Sequence, residues 1–282
     1  IDQTAAINEF VTKQNIPKPS SPVTVPMDPS WTYGDGPATT DSAKITEFRS
    51  KISSISFFVQ CTRPDVAYAT SKLMSHMHNP NDSCFKALDR LCAYLKTHST
   101  LGLSYTASTN PLLAAYCDAS WNASTEDKGK SVSAYLFFHG NNLIDWSSKR
   151  QEIVALSPAE SEQNAAFHTA KTAVYFRNLM DELGYTQYHP TTLFEDNTAC
   201  IAQSKNPVDH GRTRHVGLRY HYLRELVKRK EVQLRYIPTE LQLADLLTKP
   251  LPPRIFNKLI DSIIRSRTTT SSSSSSASTV RH

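Results

Sequence analysis

Residues 44–108 show the apolar spacing of helices. The first helix is predicted from one apolar face whose members are separated by four, three and four positions: Phe48, Ile52, Ile55 and Val59. A second helix is predicted to start at Pro64, because proline suits the first turn of a helix, and to end at Asn79-Pro80. Asp82 is the predicted cap of a third helix. The pattern predicts a small helical unit with no residues that indicate catalysis.

Beyond residue 108 the pattern changes to strands that alternate with helices. Strands are predicted at 112–117, 132–138, 143–148, 191–195 and 231–237. A long helix is predicted over 158–183, ending at Gly184, with shorter helices from 197, near 218–230 and at 241–247. This order predicts an α/β domain over residues 109–258, with a mixed five-stranded sheet and helices packed on it.

Two flanking segments differ in composition from this core. Residues 1–43 are rich in proline and small polar residues, so apart from a short helix at 5–11 we expect an extended linker or strap. Residues 259–282 end in a run of serine and threonine, and we expect a disordered tail there because it has little apolar surface to bury.

Composition excludes several classes of protein. The 282 residues include 39% hydrophobic ones, which suits one or two domains with their own cores, and no apolar run approaches the roughly 18 residues of a membrane span. The eight glycines form neither a dinucleotide-binding nor a P-loop motif. The five cysteines contain no C-x-x-C pair, which argues against a zinc ribbon or a disulfide scaffold and favours a reducing compartment. Because the chain starts at Ile1 without a signal segment, we expect it to be a piece of a longer translation product.

Positive charge is concentrated between Lys205 and Lys230. This segment holds eight basic residues and two acidic ones, a local charge of +6 against +5 for the whole chain. Such a cluster favours a polyanionic partner, and nucleic acid is the leading candidate. The alternative is the solvated face of an ordinary helix.

Four acidic residues lie where a fold of this order can bring them together. Asp118 and Asp196 end predicted strands, Glu160 lies in the first turn of the long helix, and Asp245 has apolar neighbours. Oxygen ligands converging from strand ends suit hard divalent ions, so we expect two Mg²⁺, with Mn²⁺ as the alternative. Taken singly, each acid has another explanation: a helix-dipole contact, a helix cap, a turn, or a pair with a surface lysine.

Runs of residues from 45 to 256 resemble the C-terminal part of the Pol polyprotein of copia-type LTR retrotransposons. There a reverse-transcriptase thumb and connection region precedes ribonuclease H. The runs that carry the resemblance are Cys61-Thr-Arg-Pro-Asp-Val-Ala-Tyr-Ala69, Asp145-Trp-Ser-Ser-Lys-Arg-Gln151, Val154-Ala-Leu-Ser-Pro-Ala-Glu160, Glu195-Asp-Asn197, Arg212-Thr-Arg-His215, Arg219-Tyr-His221, Ile237-Pro-Thr-Glu-Leu-Gln-Leu-Ala-Asp245 and Leu247-Thr-Lys-Pro-Leu251.

The resemblance implies a metal-dependent ribonuclease H of the ribonuclease H-like fold, which cleaves the RNA strand of RNA–DNA hybrids. It implies that Asp118, Glu160, Asp196 and Asp245 are both the catalytic residues and the metal ligands. The family motif Ser-Thr-Glu-Ala-Glu-Tyr becomes Ser157-Pro-Ala-Glu-Ser-Glu-Gln163 here, so Glu162 is the alternative to Glu160. For phosphate contacts the first candidates are Arg212, Arg214, His215 and Arg219.

The resemblance also sets expectations about partners. The polymerase aspartates belong upstream of these residues, so we expect no DNA synthesis, and the fingers and palm of the reverse transcriptase and the integrase are expected partners. The expected location is intracellular, in cytoplasmic retrotransposon particles or in the nucleus, without a membrane. One competing hypothesis is a degenerate or truncated fragment that binds nucleic acid, or is inert, without catalysis. Another is an integrase of the same fold, which ranks lower because integrases generally use three acids.

Overall fold

The structure is a computed structural model that describes residues 1–34, 36–108, 111–121, 129–205 and 214–266, with the backbone alone for 214–217 and 265–266. The helical unit holds four helices and a short strand: α1 (Thr4–Lys13), α2 (Ser42–Cys61), α3 (Ala67–Met74), α4 (Asp82–Thr97) and β1 (Leu101–Gly102). A 3-10 turn over Pro64–Val66 leads into α3. The cap of α4 is Asn81 rather than Asp82, because the Asn81 side chain accepts a hydrogen bond from the Cys84 backbone and Asp82 is already helical.

The α/β part follows in the predicted order. Its elements are β2 (Leu113–Ser120), β3 (Val132–His139), β4 (Asn142–Arg150), α5 (Pro158–Glu182), β5 (Thr191–Glu195), α6 (Thr198–Lys205), α7 (Arg214–Lys228), β6 (Val232–Tyr236), α8 (Asp245–Thr248), α9 (Pro253–Ile260) and β7 (Arg265–Ser266). Gly184 has a φ of +80°, which only glycine adopts without strain, and it follows α5 as expected.

Five of these strands form one mixed sheet in the order β4-β3-β2-β5-β6. The pairs β2–β3 and β3–β4 are antiparallel, whereas β2–β5 and β5–β6 are parallel. The structure therefore confirms the expected α/β class and the five-stranded mixed sheet flanked by helices.

The two faces of this sheet have different cover. Helices α5, α6 and α7 pack on one face, where small residues of α5 (Ala166, Ala170 and Ala173) lie against Phe137 and Leu193. The opposite face, which includes Leu136, shares one continuous core with α8, α9 and the helical unit. Trp146 of β4 joins the two parts directly, because its Nε1 donates a 2.8 Å hydrogen bond to the Val59 carbonyl of α2.

The proline-rich start packs against the helical unit. Ile16, Val25 and Met27 are buried in the same core as α1, and Lys96 of α4 donates a 2.6 Å hydrogen bond to the Ile16 carbonyl. Prolines stop helices from forming but do not prevent the apolar residues between them from being buried. The described residues before α2 therefore contribute apolar side chains to the core of the helical unit.

The start of the predicted disordered tail is ordered. The predicted disordered tail began at residue 259, but Leu259, Ile260, Ile263 and Ile264 are buried, and β7 pairs with β1. These residues have the apolar surface that the serine-rich segment lacks, so the ordered part extends to at least residue 266. The rest of the predicted tail lies outside the described residues. The division of the chain into domains at 43, 108 and 258 otherwise stays a prediction.

Among the described residues, no helix is both long and apolar enough to cross a membrane.

Candidate metal centre

Three carboxylates converge at the carboxyl ends of β2 and β5. Asp118, Glu162 and Asp196 each present one oxygen, and these oxygens lie within 4.8 Å of one another. The two strands are parallel neighbours with Tyr116 opposite Phe194, so Asp118 and Asp196 both lie two residues beyond a paired position. Sheet register therefore brings these two acids to the same edge, as the sequence predicts.

The third acid of the cluster is Glu162, and Glu160 is not part of it. Glu162 is buried, and its Oε2 accepts a 2.7 Å hydrogen bond from the Ala119 backbone, next to Asp118. Glu160 instead accepts a 2.8 Å hydrogen bond from the Leu156 backbone, just before α5. Residues two positions apart on a helix point in directions about 200° apart, so both cannot face β2. The structure brings Glu162 rather than the expected Glu160 to Asp118 and Asp196.

Asp245 lies outside this close group but near Asp118. It is buried at the first position of α8, and the charge of Asp118 acts on its carboxyl group. Its Oδ1 lies 2.7 Å from the Lys249 ammonium. The same short turn supplies Thr248, whose hydroxyl donates a hydrogen bond to Asp118 Oδ2. Three of the four expected acids, Asp118, Asp196 and Asp245, are therefore brought together.

Sequence reasoning missed a fifth acid, Glu195. It is fully buried, accepts a 3.1 Å hydrogen bond from the Asn197 backbone, and receives the Cys117 thiol at 3.4 Å. The signal was its position in β5, where Thr191, Leu193 and Glu195 alternate towards the core.

The electrostatics of the cluster favour a bound cation. Burial, then the charges of Glu195, Asp118 and Asp196, raise the pKa of Glu162 to about 11. Burial, then the charge of Asp118, raises the pKa of Asp245 to about 7. Burial alone would lower the pKa of Lys249, but the charges of Asp118 and Asp245 outweigh it and raise that pKa. Buried like-charged carboxylates need a positive partner, and oxygen donors in this number suit a divalent ion.

The four residues expected to bind nucleic acid are described to different extents. Arg212 lies outside the described residues, and Arg214 and His215 lie in the first turn of α7, where the backbone alone is described. Arg219 is half-buried against α5: its Nη1 donates a 2.6 Å hydrogen bond to Asn164 Oδ1, and its guanidinium lies 5.7 Å from the centre of the Phe167 ring. Arg219 thus packs on the side of α5 that carries Glu160 and Asn164.

Comparison with known proteins adds the family. The retrovirus-related Pol polyprotein from transposon RE2 of Arabidopsis thaliana is 34% identical over 234 residues, which are 82% of this chain and 16% of that protein. The corresponding polyprotein from transposon TNT 1-94 of Nicotiana tabacum is 34% identical over 209 residues, or 74% of this chain and 16% of that protein. Ribonuclease H1 of the archaeon Halobacterium salinarum aligns structurally with 53% of this chain and 97% of its own, at 15% identity and a TM-score of 0.37. No family model matches the chain.

The fold and the site define a mixed α/β domain with a buried carboxylate cluster, joined to a helical unit. The chain belongs to the Pol polyproteins of copia-type retrotransposons, which match it over most of its length. It spans 16% of the length of these relatives.

Proposed function

We propose that this chain is the ribonuclease H part of a retrotransposon Pol polyprotein and that it hydrolyses the RNA strand of RNA–DNA hybrids. The observation that carries the proposal is the convergence of Asp118, Glu162 and Asp196 within 4.8 Å at one edge of the sheet. Two buried carboxylates and a half-buried one, from two strands and a helix, would form a site for divalent metal, and the family membership supports the choice of nucleic acid as substrate.

We assign the metal ligands as Asp118, Glu162, Asp196 and Asp245, with Mg²⁺ as the ion and Mn²⁺ as the alternative. Divalent ions held there would lower the pKa of an attacking water and stabilise the leaving 3′-oxygen, which would give 5′-phosphate and 3′-hydroxyl ends. Asp118 would contribute to holding the ions together with Glu162 and Asp196, and its charge also acts on Asp245.

Neighbouring groups hold these carboxylates in position. The Ala119 backbone orients Glu162, the Thr248 hydroxyl orients Asp118, and the Thr239 hydroxyl donates a 2.8 Å hydrogen bond to Asp196. A carboxylate held this way loses little conformational freedom when it binds an ion.

The hybrid is recognised, in this proposal, by its shape and its 2′-hydroxyl groups rather than by base sequence. Phosphate contacts come from the start of α7 and the segment before it, through Arg212, Arg214 and His215. Arg219 supports that helix against α5 through Asn164, on the side of α5 that carries Glu160. The remaining partners are the fingers and palm of the reverse transcriptase and the integrase, in cytoplasmic retrotransposon particles or in the nucleus.

The test is cleavage of an end-labelled RNA–DNA hybrid by the full chain, with Mg²⁺ and with EDTA, next to duplex DNA of the same sequence. We expect Mg²⁺-dependent cuts in the RNA strand alone. Asp118→Asn should abolish the cuts but leave hybrid binding nearly intact, because it removes one charge from a site that the duplex backbone does not need for affinity. If Asp118→Asn turned over the hybrid as fast as the parent, the assignment of Asp118 to the site would be wrong. A folded parent that binds the hybrid without cutting it would favour the non-catalytic fragment.

A further inference from the structure

Lys249 is a cation inside the carboxylate cluster, and the proposed reaction does not use it. Its ammonium lies 2.7 Å from Asp245 Oδ1, and its charge acts on Asp118 as well. The Asp245 side chain is 6% exposed and that of Lys249 38%, so the pair is partly shielded from water, which strengthens the attraction. Asp245, Thr248 and Lys249 thus supply a carboxylate, a hydroxyl and an ammonium to Asp118 from one turn.

The carboxylates around Asp118 differ in how close together they lie. Glu162 and Asp196 have oxygens close enough to that of Asp118 to share an ion with it. Asp245 is outside that close group, and its Oδ1 lies 2.7 Å from the Lys249 ammonium. A divalent ion between Asp118 and Asp245 would have to share their charge with an ammonium already at hydrogen-bond distance.

We propose that the Lys249 ammonium occupies the second cation position, an inference that rests on the proposed function. The free protein then takes up one divalent ion, and the second ion binds only when Lys249 leaves Asp245. Lys249 is thus a positioning residue that governs metal stoichiometry. Its four-carbon stem lets the ammonium move without moving α8, because the amine is joined to the backbone by rotatable single bonds.

The test is calorimetric titration of the full chain with Mn²⁺, comparing the parent, Lys249→Met, Lys249→Arg and Lys258→Met. Methionine keeps the length of the stem but removes the charge, and Lys258 is an exposed lysine of α9 that serves as the matched control. We expect Lys249→Met to bind a second ion at least about tenfold more tightly than the parent. Lys249→Arg and Lys258→Met should behave like the parent. Equal stoichiometry and affinity in the parent and Lys249→Met would overturn the proposal.

A second measurement needs no variant and covers the case in which Lys249→Met does not fold. Acetylation of lysines in the parent, read by mass spectrometry, should become several-fold faster at Lys249 when Mn²⁺ is raised to saturate the weaker site, and should not change at Lys258. Unchanged labelling of Lys249 would contradict the proposal. If neither the parent nor any variant binds Mn²⁺, the metal site of the proposed function fails, whereas equal binding by all of them refutes the role of Lys249 alone.

Discussion

The backbone of Ala119 donates a 2.7 Å hydrogen bond to the Glu162 carboxylate. This contact joins β2 to the second turn of α5 and sets Glu162 beside Asp118, which precedes Ala119 in the strand. A helix oriented to make this contact turns Glu160 away, towards the Leu156 backbone. The rotation of α5 about its own axis therefore decides which of two neighbouring glutamates can serve a metal ion.

We predict that Glu162→Gln weakens Mg²⁺ binding and that Glu160→Gln does not. Loss of one charged ligand should raise the dissociation constant at least about tenfold, whereas Glu160→Gln removes only a hydrogen bond at the start of α5. The measurement is the rise in melting temperature as Mg²⁺ is added to each protein. A normal Mg²⁺ response in Glu162→Gln with a lost response in Glu160→Gln would reverse the assignment.

We predict that the metal-free protein becomes less stable as the pH rises. The pKa values of Glu162, about 11, and Asp245, about 7, lie above the ordinary carboxyl values, so the folded state holds these protons more tightly than the unfolded chain. Their contribution is therefore fully present below the ordinary carboxyl pKa and is lost as the pH rises through these raised values.

The measurement for this pH dependence is the urea midpoint between about pH 5 and pH 9, in EDTA and in Mg²⁺. Mg²⁺ binds the deprotonated carboxylates, so its stabilising effect should grow with pH, reaching about 2.7 kcal/mol when Mg²⁺ is a hundred times its dissociation constant. Glu162→Gln, which lacks one of the strongly shifted carboxyls, should give a flatter curve in EDTA. A Mg²⁺ effect that shrinks with rising pH would contradict the prediction.

A third prediction concerns the ion pair that organises the helical unit. Arg63 is fully buried and binds both oxygens of Asp65, at 2.9 and 2.7 Å, while Tyr94 donates a 3.0 Å hydrogen bond to the same carboxylate. Arg63→Met leaves a buried carboxylate without its cation, so we expect a loss of about 3–5 kcal/mol in the free energy of unfolding.

The matched control for Arg63 is Arg229→Met. Arg229 also pairs with an acid, Glu225 at 2.9 Å, but both side chains are at least half exposed, so the expected loss is below about 1 kcal/mol. Urea denaturation followed by circular dichroism measures both variants. Similar losses in the two would show that burial does not determine the strength of the Arg63 pair.

A fourth prediction concerns the basic segment. Arg214→Ala should lower the slope of log affinity against log salt for hybrid binding by about one unit, the effect of one lost phosphate contact. Arg219→Ala should change the slope less and the stability more, because its guanidinium is engaged by Asn164 and Phe167. Arg254→Ala, an exposed arginine of α9, is the control. If Arg214→Ala behaves like Arg254→Ala, the segment is an ordinary solvated helix face.

Much of the fold could be predicted from periodicity. The strand Thr191–Glu195 has the predicted bounds, and the long helix ends one residue before its predicted end, because Gly184 is a strong local stop signal. The burial of the strap at 1–43 and of the start of the tail was harder to predict. Their burial depends on contacts with α4 and β1, which are distant in sequence, and composition cannot report such contacts.

The site could be predicted only in part. Asp118 and Asp196 could be predicted as site residues because parallel strands end at the same edge of a sheet. Asp245 could be predicted because it is an acid among apolar neighbours. The choice between Glu160 and Glu162 depends on how α5 is rotated about its axis against β2. The hydrogen bond from the Ala119 backbone to Glu162 shows this rotation, whereas the sequence motif does not. The pairing of Lys249 with Asp245 also required the structure, since a lysine four residues after an acid is usually an exposed pair.

The most direct test of the account is cleavage of one labelled RNA–DNA hybrid by three proteins in parallel: the parent, Glu162→Gln and Glu160→Gln, each shown to be folded and to bind the hybrid. We predict Mg²⁺-dependent RNA cleavage by the parent and by Glu160→Gln, and a loss of at least about a hundredfold in Glu162→Gln, or about 2.7 kcal/mol of transition-state stabilisation. Full activity in Glu162→Gln would contradict the assigned site, and no hybrid cleavage by the parent would contradict the proposed ribonuclease.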